Sequence, residues 1–307
     1  MIKRFSLCLS VMICYTAAFT QNFERVVLDS KDPVSGYYLA VKPQSNAIKG
    51  VVVLLDGFGG RAEDIFAESK LQNIAYANNL LTISLAIGNK MYADSVVISK
   101  LNAAFKDIIS RYSIKPDTFV LGGFSAGGTI ALRYTELCKE NPTTYPIDPQ
   151  AVFAVDAPVD LIDLWAYFEK QIAKNYSAIS VNEAKFVSVL MEKEHGTPLT
   201  NLETYKWLTP FYNESKVEGN ERFLKNTPVR VYHDVDVTWQ LQNRRRSIYE
   251  SNYLNTSEMI LRLLLARNEA AEFIHGKKGY RNNGARHPHS WAIVDEEECV
   301  QWILKQL

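Results

Sequence analysis

The sequence predicts an α/β protein, a mostly parallel central sheet of about eight strands with helices on both faces. Three observations lead there. Short β-branched runs alternate with longer segments of helical period, and the links after the second run are long enough for crossover helices. One apolar run turns through a glycine-flanked corner straight into a helical pattern. The chain has 307 residues, 47% hydrophobic and 22% charged. That length lets one large domain bury about three quarters of its unfolded surface.

Taken in order, the first twenty residues stand apart. Lys3 and Arg4 precede the apolar stretch "FSLCLSVMICYTAAF", which reads as a secretory signal with cleavage before Gln21, or alternatively after Ala18. A secreted or periplasmic protein is expected, with no membrane span left after signal removal. The strands are then "ERVVL", "YYLAV", "GVVVLLD", "LLTISLAI", "TFVLGG", "AVFAVDA", "VRVYH" and "AEFI". "DSKDPVSG" joins the first two as a hairpin-like link. Helical patterns cover Asp94 to Tyr112, Ala126 to Lys139, Trp239 to Asn252 and the closing "DEEECVQWILKQL". Between strands 6 and 7 the chain spends residues 158–228, too many for a simple crossover. This aromatic-rich insertion holds two helical patterns, "LIDLWAYFEKQIAKNY" and "EAKFVSVLMEKEH". It reads as a helical cap over a cleft, packed by its aromatics on a small core of its own.

Charge excludes one class of partner. The 34 basic and 34 acidic residues cancel, so nothing favours nucleic acid. Cys8 and Cys14 lie in the signal. Cys138 and Cys299 fall in helices expected on opposite faces of the sheet, so two free thiols and no disulfide are anticipated.

The chemistry centres on "VLGGFSAGGTIALRY". Gly123-Phe124-Ser125-Ala126-Gly127 fits G-x-S-x-G, with a buried strand before it and an amphipathic helix after it. A strand turning directly into a helix strains the corner residue, and flanking glycines remove colliding side chains. Ser125 would project its hydroxyl above the sheet. The following helix N-terminus would face developing negative charge.

With that corner the sequence resembles the α/β-hydrolase family across nearly the whole mature chain. "FVLGGFSAGG" is similar to its nucleophile elbow, and "VVVLLDGFGG" looks like its oxyanion loop, with Asp56 where a His-Gly sequence often has His. The resemblance implies that the backbone N–H groups of Phe58 and Ala126 hold the oxyanion. It also implies the chain order Ser, acid, His. Of five histidines, His289 in "HSW" resembles the family's His loop, with His287 as the alternative. The acid is expected at Asp236 in "VRVYHDVDVTWQ", with Asp234 next and Asp156 or Asp160 a lesser option. His287, His289 and His233 with Asp234 or Asp236 offer ligand types suited to zinc, but a hydrolytic metal would leave the serine corner unexplained. No metal and no cofactor is expected.

Arg281 and Arg286 flank the His loop and are candidates for contacting a substrate carboxylate, whereas Arg244 to Arg246 read as surface residues. The resulting expectation is an exported serine hydrolase acting on a small-molecule or peptide acyl substrate, a carboxylic ester first. A serine peptidase of the same fold is the alternative within the class. A binding protein on a hydrolase scaffold is the alternative outside it.

Overall fold

The computed structural model describes residues 21–45, 47–215 and 218–307. The signal segment, with Lys3, Arg4, Cys8 and Cys14, lies outside them. The eight strands are β1 (Phe23–Val27), β2 (Tyr37–Val41), β3 (Gly50–Leu55), β4 (Leu80–Leu85), β5 (Phe119–Phe124), β6 (Ala151–Val155), β7 (Val229–Asp234) and β8 (Ala271–Gly276). They form one sheet in the order β1-β2-β4-β3-β5-β6-β7-β8. β1 and β2 pair antiparallel, as do β2 and β4, and every pairing from β4 through β8 is parallel.

Side-chain alternation along these strands divides the interior into two layers. Val51, Val53 and Leu55 of β3, with Leu121 and Val231, join one cluster. It is covered by α3 (Ser95–Tyr112), α4 (Ala126–Glu140) and α9 (Tyr253–Leu265). Val52 and Leu54, with Val120, Phe153 and Tyr232, point the other way. They pack beneath α1 (Asp64–Glu68), α2 (Leu71–Ala77) and α10 (Glu296–Gln306). Because both faces are covered, the strands read as continuous apolar runs. Each fully buried aliphatic side chain contributes about 1.5–3 kcal/mol. Cys138 sits in the first layer and Cys299 in the second, and both are free and buried.

Between β6 and β7 lie α5 (Leu161–Lys174), α6 (Ala178–His195) and α7 (Leu202–Leu208). Phe168, Ala184, Val187, Met191, Tyr205 and Leu208 make a third cluster, which reaches Ala126 at the start of α4. A buried pair secures the segment to the body. Arg133 of α4 donates from Nε to the Trp207 carbonyl at 2.7 Å and from Nη1 to Glu136 at 3.2 Å. Arg133 is 1% exposed and Glu136 is fully buried.

The helix expected from Trp239 to Asn252 is not continuous. Asp236 caps a single turn, α8 (Val237–Trp239), which loosens into a π-turn over Gln240–Arg244. It ends where Arg245 takes a left-handed φ of 50°. A 3-10 turn at Ile248–Glu250 follows, and the long helix of this region is α9. No helix of the described residues is long and apolar enough to cross a membrane.

Candidate active site

Ser125 stands where β5 becomes α4, with φ 53° and ψ −125°. A left-handed φ at a residue with a Cβ costs of order 1–3 kcal/mol, and its neighbours make the turn possible. A Cβ at Gly123 would collide with the Gly127 backbone, and one at Gly127 with the carbonyls of Leu55 and Asp56. The corner is therefore closed to any other residue at both glycines, and α4 starts pressed against the end of β3.

His289 follows β8 in the loop that leads to α10. Its ring lies against Phe124, with centroids 4.5 Å apart. Nε2 is 3.0 Å from Ser125 Oγ, and Nδ1 is 2.6 Å from Asp156 Oδ2. With Asp156 ionised, Nδ1–H donates to the carboxylate and Nε2 accepts from the serine hydroxyl. Asp156 follows β6 directly, with a left-handed φ of 44°.

The other oxygen of Asp156 is taken as well. His233, 1% exposed near the end of β7, places Nδ1 3.0 Å from Oδ1. Its ring stacks on Phe273 at 5.2 Å, and its Nε2 is buried without a partner among the described residues. Burial alone would raise the Asp156 carboxyl. The His289 charge and hydrogen bonds from His233 and His289 outweigh it and hold the group well below the usual carboxylate range.

The acid position is thus a correction to the sequence reading. Asp236 Oδ1 accepts from Trp239 N at 3.0 Å as the cap of α8, and its Oδ2 lies 3.3 Å from Arg286. Asp234 accepts from Arg286 at 2.7 Å and from Gly279 N at 2.8 Å. Neither carboxylate reaches His289. β6 and β7 are adjacent and parallel, so both of their C-terminal ends open on the same rim. Arg286 occupies the carboxylates of β7, leaving the end of β6 for His289. Asp160 caps α5, accepting from Ile162 N and Asp163 N, and burial raises its carboxyl to about 6.

His287 lies beside His289 but does not reach the serine. Its Nε2 is 2.6 Å from Arg244 Nη2, and its Nδ1 is 2.7 Å from the His289 carbonyl. An arginine can only donate, so Nε2 is bare and the proton sits on Nδ1. Burial, aided by the charges of Arg281 and Arg244, lowers His287 to about 4, which keeps it neutral at physiological pH. His287 thereby braces the backbone of the His289 loop.

The loop after β3 comes close to Ser125, since a Cβ at Gly57 would lie 3.4 Å from the Ser125 Cβ. The N–H groups of Phe58 and Ala126 have no acceptor among the described residues. Ala126 is the first residue of α4, whose opening N–H groups have no partner within the helix. Asp56, which replaces the histidine of the resembled loop, accepts from Trp291 Nε1 at 3.0 Å. Its carboxyl is raised by burial. Since Trp291 follows His289 by two residues, this bond ties the loop after β3 to the His loop.

A cavity of about 400 Å³ opens onto Ser125 and His289. Leu164, Tyr167 and Phe168 of α5 line it, with Ile179 and Glu183 of α6. So do Arg244, Arg246 and Arg281. Arg281 also bonds Glu68 at 3.2 Å, whereas Arg286 is held by Asp234 and Asp236. The possible zinc ligands do not converge, because His233 and His289 are engaged with Asp156, His287 with Arg244 and Asp234 with Arg286. Elsewhere Asp94, Glu194 and His195 cluster at metal-ligand spacing, but Lys90 bridges the two carboxylates there.

Two features escaped sequence reasoning. The pairing of His233 with Asp156 gave no local signal beyond a histidine at a strand end. Arg244 and Arg246, read as surface residues, face the cavity because Arg245 turns the chain.

Fold and site together define an α/β-hydrolase fold carrying a Ser–His–Asp hydrogen-bonded chain at the C-terminal rim of its sheet. No protein-family model matches the chain, and no curated protein matches it. Solved structures do. MPT51 of Mycobacterium tuberculosis aligns with TM-score 0.62 and 13% identity, covering 94% of this chain and 99% of that one. Carboxyl esterase 2 of the mycorrhizal fungus Tuber melanosporum aligns with TM-score 0.59 and 16% identity, covering 97% and 89%. An α/β hydrolase of Vibrio vulnificus aligns with TM-score 0.54 and 15% identity, covering 93% and 81%. At these identities the likeness is one of fold, and the fold of this chain is that of the α/β hydrolases.

Proposed function

We propose that the protein is an exported serine hydrolase that cleaves a carboxylic ester. The observation that carries this reading is the chain from Ser125 through His289 to Asp156, with the N–H groups of Phe58 and Ala126 left without an acceptor among the described residues. Ser125 Oγ attacks the ester carbonyl while His289 Nε2 takes its proton. The two backbone N–H groups hold the resulting oxyanion. Collapse breaks the bond to the alkoxy oxygen, which leaves as the alcohol with the proton from His289. Water then loses a proton to His289, attacks the acyl-enzyme and releases the carboxylic acid, and Ser125 recovers its proton. Asp156 keeps the imidazole in the tautomer that has Nε2 free. Export is proposed from Lys3, Arg4 and the apolar stretch that follows.

The esterase named among the fold's neighbours supports an ester as the substrate class. The test is a fluorophosphonate probe on folded protein beginning at Gln21, with the adduct mapped by mass spectrometry. Labelling at Ser125, lost in Ser125→Ala and His289→Ala, is the expected outcome. Folded protein that takes no label would leave a binding protein on a hydrolase scaffold as the better reading.

A further inference from the structure

Two positive charges in the wall of the active-site cavity have no carboxylate paired with them among the described residues. Arg244 and Arg246 both line it and both are partly buried. Among the described residues, no carboxylate lies within 4.0 Å of either guanidinium. Arg244 donates one bond, to neutral His287. Arg246 donates from Nη2 to Ser180 Oγ at 3.1 Å, while its Nε is buried with no acceptor. A buried guanidinium N–H without an acceptor is unfavourable, since the group has left water and gained nothing.

The carboxylates around this cavity, Glu183 apart, are committed elsewhere. Asp156 serves His289 and His233, and Asp160 accepts backbone N–H groups. Asp163 accepts from Asn255, Asp234 from Arg286, and Glu250 from Lys174 and Gln171. Glu183 also lines the cavity and its charge is felt at Arg244, but it is exposed on α6 and forms an ion pair with neither guanidinium.

The two arginines are nevertheless held in place. The Arg246 guanidinium lies 5.1 Å over the Tyr167 ring, and that of Arg244 lies 5.6 Å over the Trp239 ring. Arg245, between them, takes the left-handed conformation and is exposed, bonding the Leu241 carbonyl. The turn thus divides "RRR" into two inward residues and one outward. Burial, with the neighbouring charges of Arg246 and Arg281, lowers Arg244, and the opposing influence of Tyr167 and Glu183 does not offset it.

We infer that Arg244 and Arg246 form a subsite for a carboxylate carried by the substrate, so that the protein prefers acidic esters whose free carboxylate lies in the cavity while the ester carbonyl meets Ser125. The inference rests on the proposed ester hydrolysis. A guanidinium suits the role because its planar fork pairs with a carboxylate through two parallel N–H···O bonds. The carboxylate belongs to either the acyl or the alcohol half, and the experiment separates these sources.

Two matched pairs of esters are compared by kcat/KM. In the first pair, 4-carboxyphenyl acetate is set against 4-carbamoylphenyl acetate. In the second, the mono-4-nitrophenyl ester of adipic acid is set against that of adipamic acid. Expected is a preference for the carboxylate of roughly 10- to 100-fold in one pair, expressed mainly in KM. That preference should collapse toward unity in Arg246→Gln and Arg244→Gln and persist in Arg245→Gln. Equal rates for both members of both pairs would overturn the subsite while leaving ester hydrolysis standing. A preference that survives both cavity variants would move recognition to other residues and overturn the assignment. Folded protein that hydrolyses no ester and takes no fluorophosphonate label would bring down the hydrolase reading and the subsite with it.

Discussion

Asp156 sits on strained backbone one residue beyond β6 and receives a ring N–H on each of its oxygens. This arrangement makes its ionised form cheap, because its solvation is supplied by fixed donors. A carboxyl held below its unfolded value contributes stability that is present above about pH 4 and lost as the pH falls further. Asp156 is therefore ionised wherever the protein is assayed near neutrality, and in the proposed mechanism its task is to orient His289. Asp156→Asn should lower kcat by about 10⁴-fold, with little change in KM, because an amide favours the wrong imidazole tautomer. Asp236→Asn should leave kcat near the parental level, since asparagine also caps a helix and Arg286 keeps Asp234. Steady-state kinetics on one aryl ester decides, and a reversed order would return the acid to Asp236. Ser125 and His289 were legible because each has a local signature: a glycine corner between strand and helix, and a His-Ser-Trp loop before the last helix. The acid had no such mark. Aspartates end both β6 and β7, and which one meets His289 depends on Arg286, whose preference for Asp234 is a tertiary fact.

At the scale of elements, the strands and most helices were readable because their periods are strong and their burial two-sided. The break between Trp239 and Asn252 was not, because its apolar spacing suits a helix and nothing local forbids one. What interrupts it is tertiary. Glu250, its side chain only 4% exposed, accepts from Lys174 and Gln171 of α5 and from Ser247 N, with Lys170 at 3.2 Å. These bonds fasten the 3-10 turn at Ile248–Glu250 to the C-terminal end of α5, on the wall that carries Arg246. Burial opposes the charge on Glu250, but its bonds from Lys174, Ser247 and Gln171 lower the carboxyl to about 2. The depressed value means that its stabilisation is present above the ordinary glutamate range and lost as the pH falls toward 2. Glu250→Gln should thus lower Tm by about 2–8 °C at pH 7, equivalent to roughly 1–2 kcal/mol in a chain of this size. The gap from the parental protein should close between about pH 4.5 and 2. Thermal unfolding followed by circular dichroism across that range measures it. A gap independent of pH would mean that the side chain acts by packing alone.

The described residues form one sheet between two helical layers, with the candidate active site at the rim where strand ends, the His loop and the segment after β6 meet. Whether the layers open together is a physical question that the two thiols can answer. Cys138 lies in α4 on one face and Cys299 in α10 on the other, each about 1% exposed or less. Burial pushes both thiols up, Cys299 to about 12 despite its hydrogen bond from Tyr232 and the nearby charge of Arg230. A buried thiol with a raised pKa is poorly nucleophilic and reacts only when its surroundings open. In protein beginning at Gln21, neither cysteine should react with Ellman's reagent at pH 8 on a timescale that fully labels the urea-unfolded chain. The sheet is continuous, and its middle strands β3, β5, β6 and β7 contribute to both clusters. Removing one layer would therefore expose the apolar side chains of strands that the other layer still buries, which argues for a single cooperative unit. Both thiols should accordingly become reactive at the same urea midpoint, coincident with loss of far-ultraviolet circular dichroism. If Cys299 becomes reactive at lower urea than Cys138, then α10 detaches from the sheet before the rest unfolds, and the His289 loop that precedes it would be released in the same step.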